Sequence, residues 1–279
     1  MTIGSATIMP DVGPDGWKAS LSLSFEAGPS RTFVRREHTG PLTVQRPFYP
    51  ETNLAHVYLL HPPGGVVGGD ELLIDAHVSS NAAGLVTTPG ATKFYRTQGR
   101  RSTVNQTLVV NGGSLEWFPQ ENIFFNSSHA TLSTTIELND SAAFAGWDIQ
   151  CYGRPAGDQP FVDGSVCNKV TVFNEGVPVF CDRQIVDDTH RLTNATTYRG
   201  NCVSGTLLLH GIPAESCSVV RKTLASSDEF FVSSIDSLLV VRYLGRSAEQ
   251  AKQGFCSVWS EMRYLINQRT PCVPRIWAT

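Results

Sequence analysis

Charge is what this chain has little of. Of its 279 residues, 22 are Lys or Arg and 25 are Asp or Glu, so charged residues make up 17%, against about 25% in an average soluble domain. The formal net charge is −3, and without an overall cationic field neither nucleic acid nor an acidic membrane surface is indicated as a partner. Sparse charge combined with 41% hydrophobic content also excludes a disordered chain. Cysteine is missing from the first 150 residues, and the seven present, from Cys151 to Cys272, form no C-x-x-C pair. That spacing excludes a zinc ribbon or a thioredoxin-like motif and does not suit a dense disulfide framework. Long apolar runs are lacking too: the charge-free stretches Thr52–Gly69 and Ala76–Thr92 are short and broken by Pro and Gly, which excludes a helical membrane span there. The opening segment MTIGSATIMPDVGPDGWK has neither a basic n-region nor an apolar h-region, so a cytoplasmic location is expected. Its first ~15 residues are expected to be flexible, as termini commonly are.

What is present is period-2 patterning. Leu21, Leu23 and Phe25 alternate with Ser22 and Ser24, as a half-buried strand requires. Val170–Phe173 and Val177–Phe180 flank Asn174-Glu175-Gly176, which reads as a hairpin with a three-residue loop and a glycine placed for positive φ. Ala55–Leu60, Leu207–Leu209 and Leu238–Val241 are short apolar runs bounded by turn residues, suited to strands covered on both faces. Turn signals recur at Gly112-Gly113, Asn139-Asp140, Gly153–Gly157 and Asp163-Gly164. One segment differs. Between 247 and 269, apolar residues at Ala248, Ala251, Phe255, Val258, Trp259, Met262, Leu265 and Ile266 form a helical stripe. Ser247 and Gln250 make a capping box, and Pro271 and Pro274 stop the helix. With no linker and no internal repeat, the expectation is a single, mostly β domain over 1–279 with one amphipathic helix near its C-terminus.

Three segments concentrate chemistry. In HPPGGVVGGD, His61 and the pairs Gly64-Gly65 and Gly68-Gly69 precede Asp70 and Glu71. The glycines allow close backbone approach, but the Lys-Ser/Thr of a P-loop is missing and no helical pattern follows. A strand-connecting turn is the better reading. His56 and His61, five apart in an extended chain, point to opposite faces and do not converge on one ion. In TTPGATKFYR, Lys93 and Arg96 beside Phe94 and Tyr95 suit either an anion contact or a solvated edge. In LEWFPQEN, Glu116 and Glu121 sit among bulky apolar residues around Gln120, a pairing that acid–base chemistry would use if the fold brought them together. Asp148, between Trp147 and Ile149, and Asp182, between Cys181 and Arg183, are carboxylates inside apolar strand-like runs. Such groups are buried only when paired, hydrated or bound to a cation; Arg183 is the adjacent candidate partner for Asp182. Cys151, Cys181 and Cys202 fall on strand-like segments, where a small buried hydrophobe is the ordinary role. A metal-dependent hydrolase using His61 with Asp70 is the alternative that these residues leave open.

These three blocks, with the later CYGRPAGD around Arg154, LLVVRYLGRS and PRIWAT, closely resemble the urease accessory protein UreD (UreH) family, in register from near Arg36 to Thr279. The resemblance implies an elongated two-layer stack of β-sheets with few helices, and no enzymatic activity. It implies binding to the urease structural subunits and to UreF-family and UreG-family (GTPase) proteins, with nickel passing in transit and no cofactor or metal stably bound. The positions matching the family's proposed tunnel-lining residues are Asp70, Glu71, Thr92, Asp148 and Asp182. His61, Gly64, Gly65, Gly68, Gly69, Lys93, Tyr95, Arg96, Glu116, Gln120, Glu121 and Arg154 match family motifs with structural or partner-contact roles. Oxygen ligands that hold a divalent cation weakly suit passage. Trp277 in PRIWAT is expected to dock on the core.

Overall fold

The computed structural model describes residues 16–278; the N-terminal segment expected to be flexible lies outside them. In chain order the first strands are β1 (Lys18–Ala27), β2 (Thr32–Thr39), β3 (Thr43–Val44), β4 (Phe48–Glu51), β5 (Leu54–Leu60) and β6 (Glu71–Val78). They are followed by β7 (Ala83–Thr87), β8 (Thr92–Phe94), β9 (Ser102–Asn111), β10 (Ser114–Phe118), β11 (Asn122–Phe124), β12 (Ser128–Asn139) and β13 (Ala143–Arg154). The remainder are β14 (Gln159–Pro160), β15 (Gly164–Asn174), β16 (Val177–Val186), β17 (Val203–His210), β18 (Phe230–Ile235) and β19 (Leu238–Gly245). The helices are α1 (Thr189–Thr193), α2 (Ser216–Thr223) and α3 (Ala248–Asn267).

The strands form two sheets. A 7-stranded sheet has the order β16-β15-β12-β9-β6-β1-β2, and a 12-stranded sheet runs β18-β19-β17-β13-β10-β7-β5-β3 with β4, β8, β11 and β14 attached beside that path. From β5 to β15 the chain alternates between them: β5, β7, β10 and β13 lie in the larger sheet and β6, β9, β12 and β15 in the smaller. Neighbours within each sheet therefore come from successive coils and run parallel. Antiparallel strands close both sheets, with β2 and β16 at the ends of the smaller one. At one end of the coil the turns are tight and stacked. There Asn139 Nδ2 donates to Asn111 Oδ1 at 2.9 Å, and the amides of Asn81 and Gly112 donate to the carbonyls of Gly112 and Asn139 at 3.0 Å. At the other end the connections are long, and they contain the HPPGG, TTPGAT, PQEN and RPAGD blocks. Motifs far apart in sequence are thus successive loops of one end of the molecule.

Two cores follow from the alternation of side chains along each strand. Inward residues of both sheets, among them Leu21, Leu23, Phe25, Ile74, Leu108, Ile136 and Val172, pack between the sheets. The opposite face of the larger sheet, through Leu85, Phe118, Trp147, Leu207 and Val241, packs against α2 and α3. This is why β5, β17 and the start of β19 are buried on both faces. It also adds a helical layer to the expected two-layer stack. Trp277 docks as expected: its ring lies 5.4 Å from that of Trp147 and 6.1 Å from Phe118 and Trp259, and its indole N–H donates to Thr87 Oγ1 at 2.9 Å.

Several sequence expectations need correction. The β15–β16 hairpin has a two-residue loop, because Asn174 still pairs with Val177. Glu175 (φ 50) and Gly176 (φ 75) both take left-handed conformations, the type I′ geometry that matches strand twist without a third residue. Helix α3 is capped as expected, with Ser247 Oγ accepting the Gln250 amide at 3.2 Å. It ends before the prolines, on Gln268 in a left-handed cap. Leu265 lies off the stripe and is 46% exposed. Helices α1 and α2 were not anticipated. Cys181 is exposed, and Cys202 lies just outside β17.

Candidate functional site

The core between the sheets is not filled throughout. It encloses a cavity of about 90 Å³, well above the ~10–15 Å³ that one water requires. Most of its wall is apolar, but His61, Thr88, Thr92, Gln106, Asn122, Thr134, Asp148 and Thr206 face it as well. Leu59, His61, Thr88 and Thr92 also line an outer recess of about 230 Å³ beneath the HPPGG and TTPGAT loops. Those four residues form the partition between the inner cavity and the motif-bearing end of the molecule.

Asp148 is the ionisable centre of the cavity. On β13, Trp147 faces the helices, so Asp148 faces the opposite sheet; its in-register neighbour Thr206 on β17 does the same. Asp148 is half-buried and lines the cavity. Asn168 Nδ2, reaching across from β15, donates to Oδ2 at 2.6 Å. Gln150 Nε2 at 2.5 Å and Asn122 Nδ2 at 3.4 Å donate to Oδ1. Among the described residues no Lys, Arg or His forms an ion pair with it. Burial pushes its acidity down, so its pKa is raised; the two amide donors from Asn168 and Gln150 oppose this, and the charge of Asp182 adds to it. A carboxyl held by neutral amides beside polar space can accept a cation more easily than one locked in an ion pair. Outside the cavity lining, a separate set of polar side chains is joined by hydrogen bonds. Gln184 Oε1 accepts from Ser204 Oγ at 2.9 Å and from the Tyr198 hydroxyl at 3.3 Å, and the Tyr198 and Tyr152 hydroxyls lie 3.2 Å apart.

The structure separates the five carboxyl and hydroxyl positions identified by resemblance. Thr92 and Asp148 line the cavity. Asp182 is near enough to Asp148 to influence it, but Arg242 Nη1 at 2.9 Å and Gln184 Nε2 at 3.1 Å occupy one of its oxygens. Its ionic partner is therefore Arg242 of the other sheet and not the adjacent Arg183, whose side chain alternation directs elsewhere. Asp70 is buried, yet its two oxygens accept the backbone amides of Trp17 and Val67, each at 2.8 Å, which fixes the glycine loop. Glu71 opens β6 with its side chain in solvent, 3.9 Å from Lys18 Nζ. It does not line the cavity, because consecutive strand residues face opposite ways.

The motif residues build the rim. The Gly64 amide donates to the His61 carbonyl at 2.9 Å and that of Gly69 to the Arg101 carbonyl at 3.1 Å, while Gly68 lies against Thr97 and Arg100. At Gly65 a Cβ would strike the Tyr95 ring and approach the Lys93 carbonyl to 2.9 Å, so only glycine lets these two loops meet. Tyr95 packs edge-on to Phe125 at 5.1 Å, and Arg154 covers that ring at 5.2 Å. Lys93 and Arg96 are exposed. The Gln120 amide donates to Thr88 Oγ1 at 2.9 Å, and its side chain accepts Lys252 Nζ at 2.8 Å; Glu121 is half-buried beside it. His61 and Asp70 form no hydrogen-bonded pair: both ring nitrogens of His61 are buried without a protein partner. The geometry of a His–Asp hydrolytic dyad is therefore not formed.

A second cluster, Glu51, His56 and Cys272, brings three potential metal donors within 4.8 Å of one another. Two of its three members are already engaged. Arg263, a helix residue with 0% exposed side chain, donates to Glu51 Oε1 and Oε2 at 2.8 Å, and His56 Nε2 lies 2.8 Å from Glu51 Oε1. Arg263 also grips Glu116, through Nε at 2.9 Å and Nη2 at 2.8 Å, while Trp259 Nε1 donates to the same carboxylate at 2.7 Å. A guanidinium in contact with the carboxylate opposes a second cation there, so this cluster reads as a buried ionic brace. Glu116 is thereby a partner of α3, not one half of an acid–base pair with Glu121.

Sequence reasoning missed Asn122, Gln150, Asn168, Thr206 and Arg263. A signal existed for two of them. Asn168 interrupts the inward series Val166, Val170, Val172, and Arg263 falls on the stripe formed by Trp259, Met262 and Ile266.

Residues 18–278 match the family model described as UreD urease accessory protein. A protein of Aliivibrio fischeri named urease accessory protein UreD is 43% identical over 280 residues, covering 95% of this chain and 97% of that one. Proteins of the same name from Alcanivorax borkumensis (40% identical; 95% and 93% covered) and Escherichia coli (38% identical; 97% and 100% covered) are similar over the same span.

Proposed function

Because the chain belongs to the UreD urease accessory protein family, with its role in urease maturation, we propose that it is a non-catalytic cytoplasmic scaffold that conducts nickel. In this reading it binds apo-urease and, together with UreF-family and UreG-family proteins, passes nickel through the inter-sheet cavity toward the urease active site. The observation that carries the reading is Asp148: a half-buried carboxylate on the wall of a largely apolar cavity, held by amides and without an ionic partner among the described residues. A cation crossing a protein needs oxygen donors in place of part of its hydration shell, bound weakly enough to leave. Thr92, Gln106, Asn122, Thr134 and Thr206, from both sheets, supply further side-chain oxygens around the same cavity.

The test is activation of apo-urease by the reconstituted accessory complex at limiting nickel. Asp148→Ala is expected to lower nickel loading while co-purification with urease and the UreF-family partner is unchanged. Unaltered loading would reject the conduit and spare the scaffold. Equal activation in the complete absence of this protein would reject both. Asp182→Ala is a weaker probe, because it also frees Arg242.

A further inference from the structure

Inside the cavity the potential ligand atoms are almost all hard oxygens. Carboxylate, hydroxyl and amide oxygens suit magnesium and calcium as well as they suit nickel. An oxygen-lined passage therefore does not by itself explain how a scarce cation of the later first row is chosen over abundant magnesium. Among the described residues lining the cavity, one side chain carries a nitrogen ligand: His61. Its position is distinctive, since it lines the inner cavity and the outer recess together. Both ring nitrogens are buried, and neither has a protein hydrogen-bond partner. The other buried histidines are engaged: His56 Nε2 with Glu51 and His210 Nδ1 with the Ala142 carbonyl, each at 2.8 Å. A structural histidine is ordinarily held by such a bond, which sets its tautomer. His61 is instead positioned by its backbone, at the start of the turn closed by the Gly64 amide.

We propose that His61 is the selectivity ligand of the conduit, an imidazole at the partition between recess and cavity that coordinates nickel in passing and does not hold magnesium. This rests on the conduit reading above. Imidazole favours nickel, copper and zinc over the alkaline-earth cations, whose preference is for oxygen. A single nitrogen ligand, completed by water and by weak oxygens such as those of Thr88 and Thr92, selects without trapping. Burial lowers the pKa of His61 although the charge of Asp70 opposes this, which keeps the lone pair available at neutral pH.

The test compares wild type, His61→Gln and Asp148→Asn in the complete accessory complex, measuring urease activation against nickel concentration with and without millimolar magnesium. Wild type should be indifferent to magnesium. His61→Gln, which keeps bulk and offers only an amide, should need at least about tenfold more nickel when magnesium is present, the lower end of what losing a metal-site group costs. If Asp148→Asn is impaired while His61→Gln matches wild type under both conditions, the selectivity role is overturned and the conduit stands. If Asp148→Asn is normal, the conduit itself fails, and the proposal falls with it. A readout independent of activation, and of whether the variant folds, is the imidazole NMR spectrum of the wild-type full chain. Substoichiometric nickel should broaden the His61 resonances before those of His56 and His210, and magnesium should leave them sharp. Simultaneous broadening of all three, or none at His61, overturns the assignment.

Discussion

Replacing Arg263 by Met is the most demanding test of how the fold is held. The guanidinium is fully buried and makes four contacts of 2.8–2.9 Å to two carboxylates, with a further bond to the Thr270 carbonyl at 2.5 Å. It also lies over the Trp259 ring at 5.0 Å. Methionine fills similar space but leaves Glu116 and Glu51, with side chains 1% and 11% exposed, without their counter-charge. Stranding a buried charge in this way costs about 3–5 kcal/mol. That is a large fraction of the roughly 5–15 kcal/mol by which a domain is stable. At about 2–4 °C per kcal/mol for a domain somewhat smaller than this one, the melting temperature should fall by roughly 6–20 °C. Urea melts followed by far-UV circular dichroism and tryptophan fluorescence measure the effect, the latter because Trp259 bonds Glu116 directly. The triple variant Glu51→Gln, Glu116→Gln, Arg263→Met should recover most of the loss, since it removes the stranded charges together with the arginine. A loss below about 1 kcal/mol, the scale of an exposed ion pair, or a triple variant no better than the single, would refute the reasoning. The pH dependence has a defined sign. Burial raises the pKa of Glu51, but hydrogen bonds and charge from His56 and Arg263 outweigh it and leave the carboxyl below its ordinary 4.5. A depressed carboxylate contributes its stability fully above the unfolded value and loses it as pH falls through the native one. The gap between wild type and Arg263→Met should accordingly narrow below pH 4.5.

Asp148→Asn should leave stability at pH 7 unchanged or raised while impairing nickel loading. A carboxyl whose pKa is raised by burial loses folded-state stability as pH climbs from its unfolded value toward its native one, and asparagine does not; a clear fall in melting temperature at pH 7 would contradict this. Trp277→Ala should cost about 2–3 kcal/mol, slightly under the usual 3–5 for burying a large aromatic because Trp277 is only partly buried; thermal denaturation checks it. Gly65→Ala should cost about 1–3 kcal/mol through the forced separation of the two rim loops. It should also lower urease activation beyond what reduced protein level explains, as read by activity normalised to complex recovered.

Local pattern was legible where neighbours in sequence decide the outcome. Leu21, Leu23 and Phe25 turned inward as their alternation required, and Ser247 capped α3. The coil was not legible, because each strand of one sheet pairs with a strand a full coil away and the coils share no repeated sequence. Asp148 stood out from its apolar neighbours, but of its amide partners only Gln150 is local; Asn122 on β11 and Asn168 on β15 lie 26 and 20 residues away. For Asp70 and Glu71 the resemblance supplied both residues as tunnel positions. Strand alternation alone forbids two consecutive side chains from facing one interior, and the structure keeps Asp70 in and Glu71 out. Arg263 resembled one more solvated charge on a helix until its position on the apolar stripe was matched with Glu116, 147 residues earlier.

That separation has a consequence during synthesis. Glu51 and Arg263 are 212 residues apart, and at about 5–20 residues per second the ribosome needs roughly 10–40 s to deliver the second after the first. Until α3 is made, the outer face of the larger sheet lacks that helix's cover, and Glu51, joined later by Glu116, lacks the Arg263 guanidinium. A chain stalled or cleaved shortly before residue 263 would therefore present an apolar, unbraced sheet to the translation machinery's chaperones and proteases. The outer face of the larger sheet is fully covered only when α3 and, after it, Trp277 have been made.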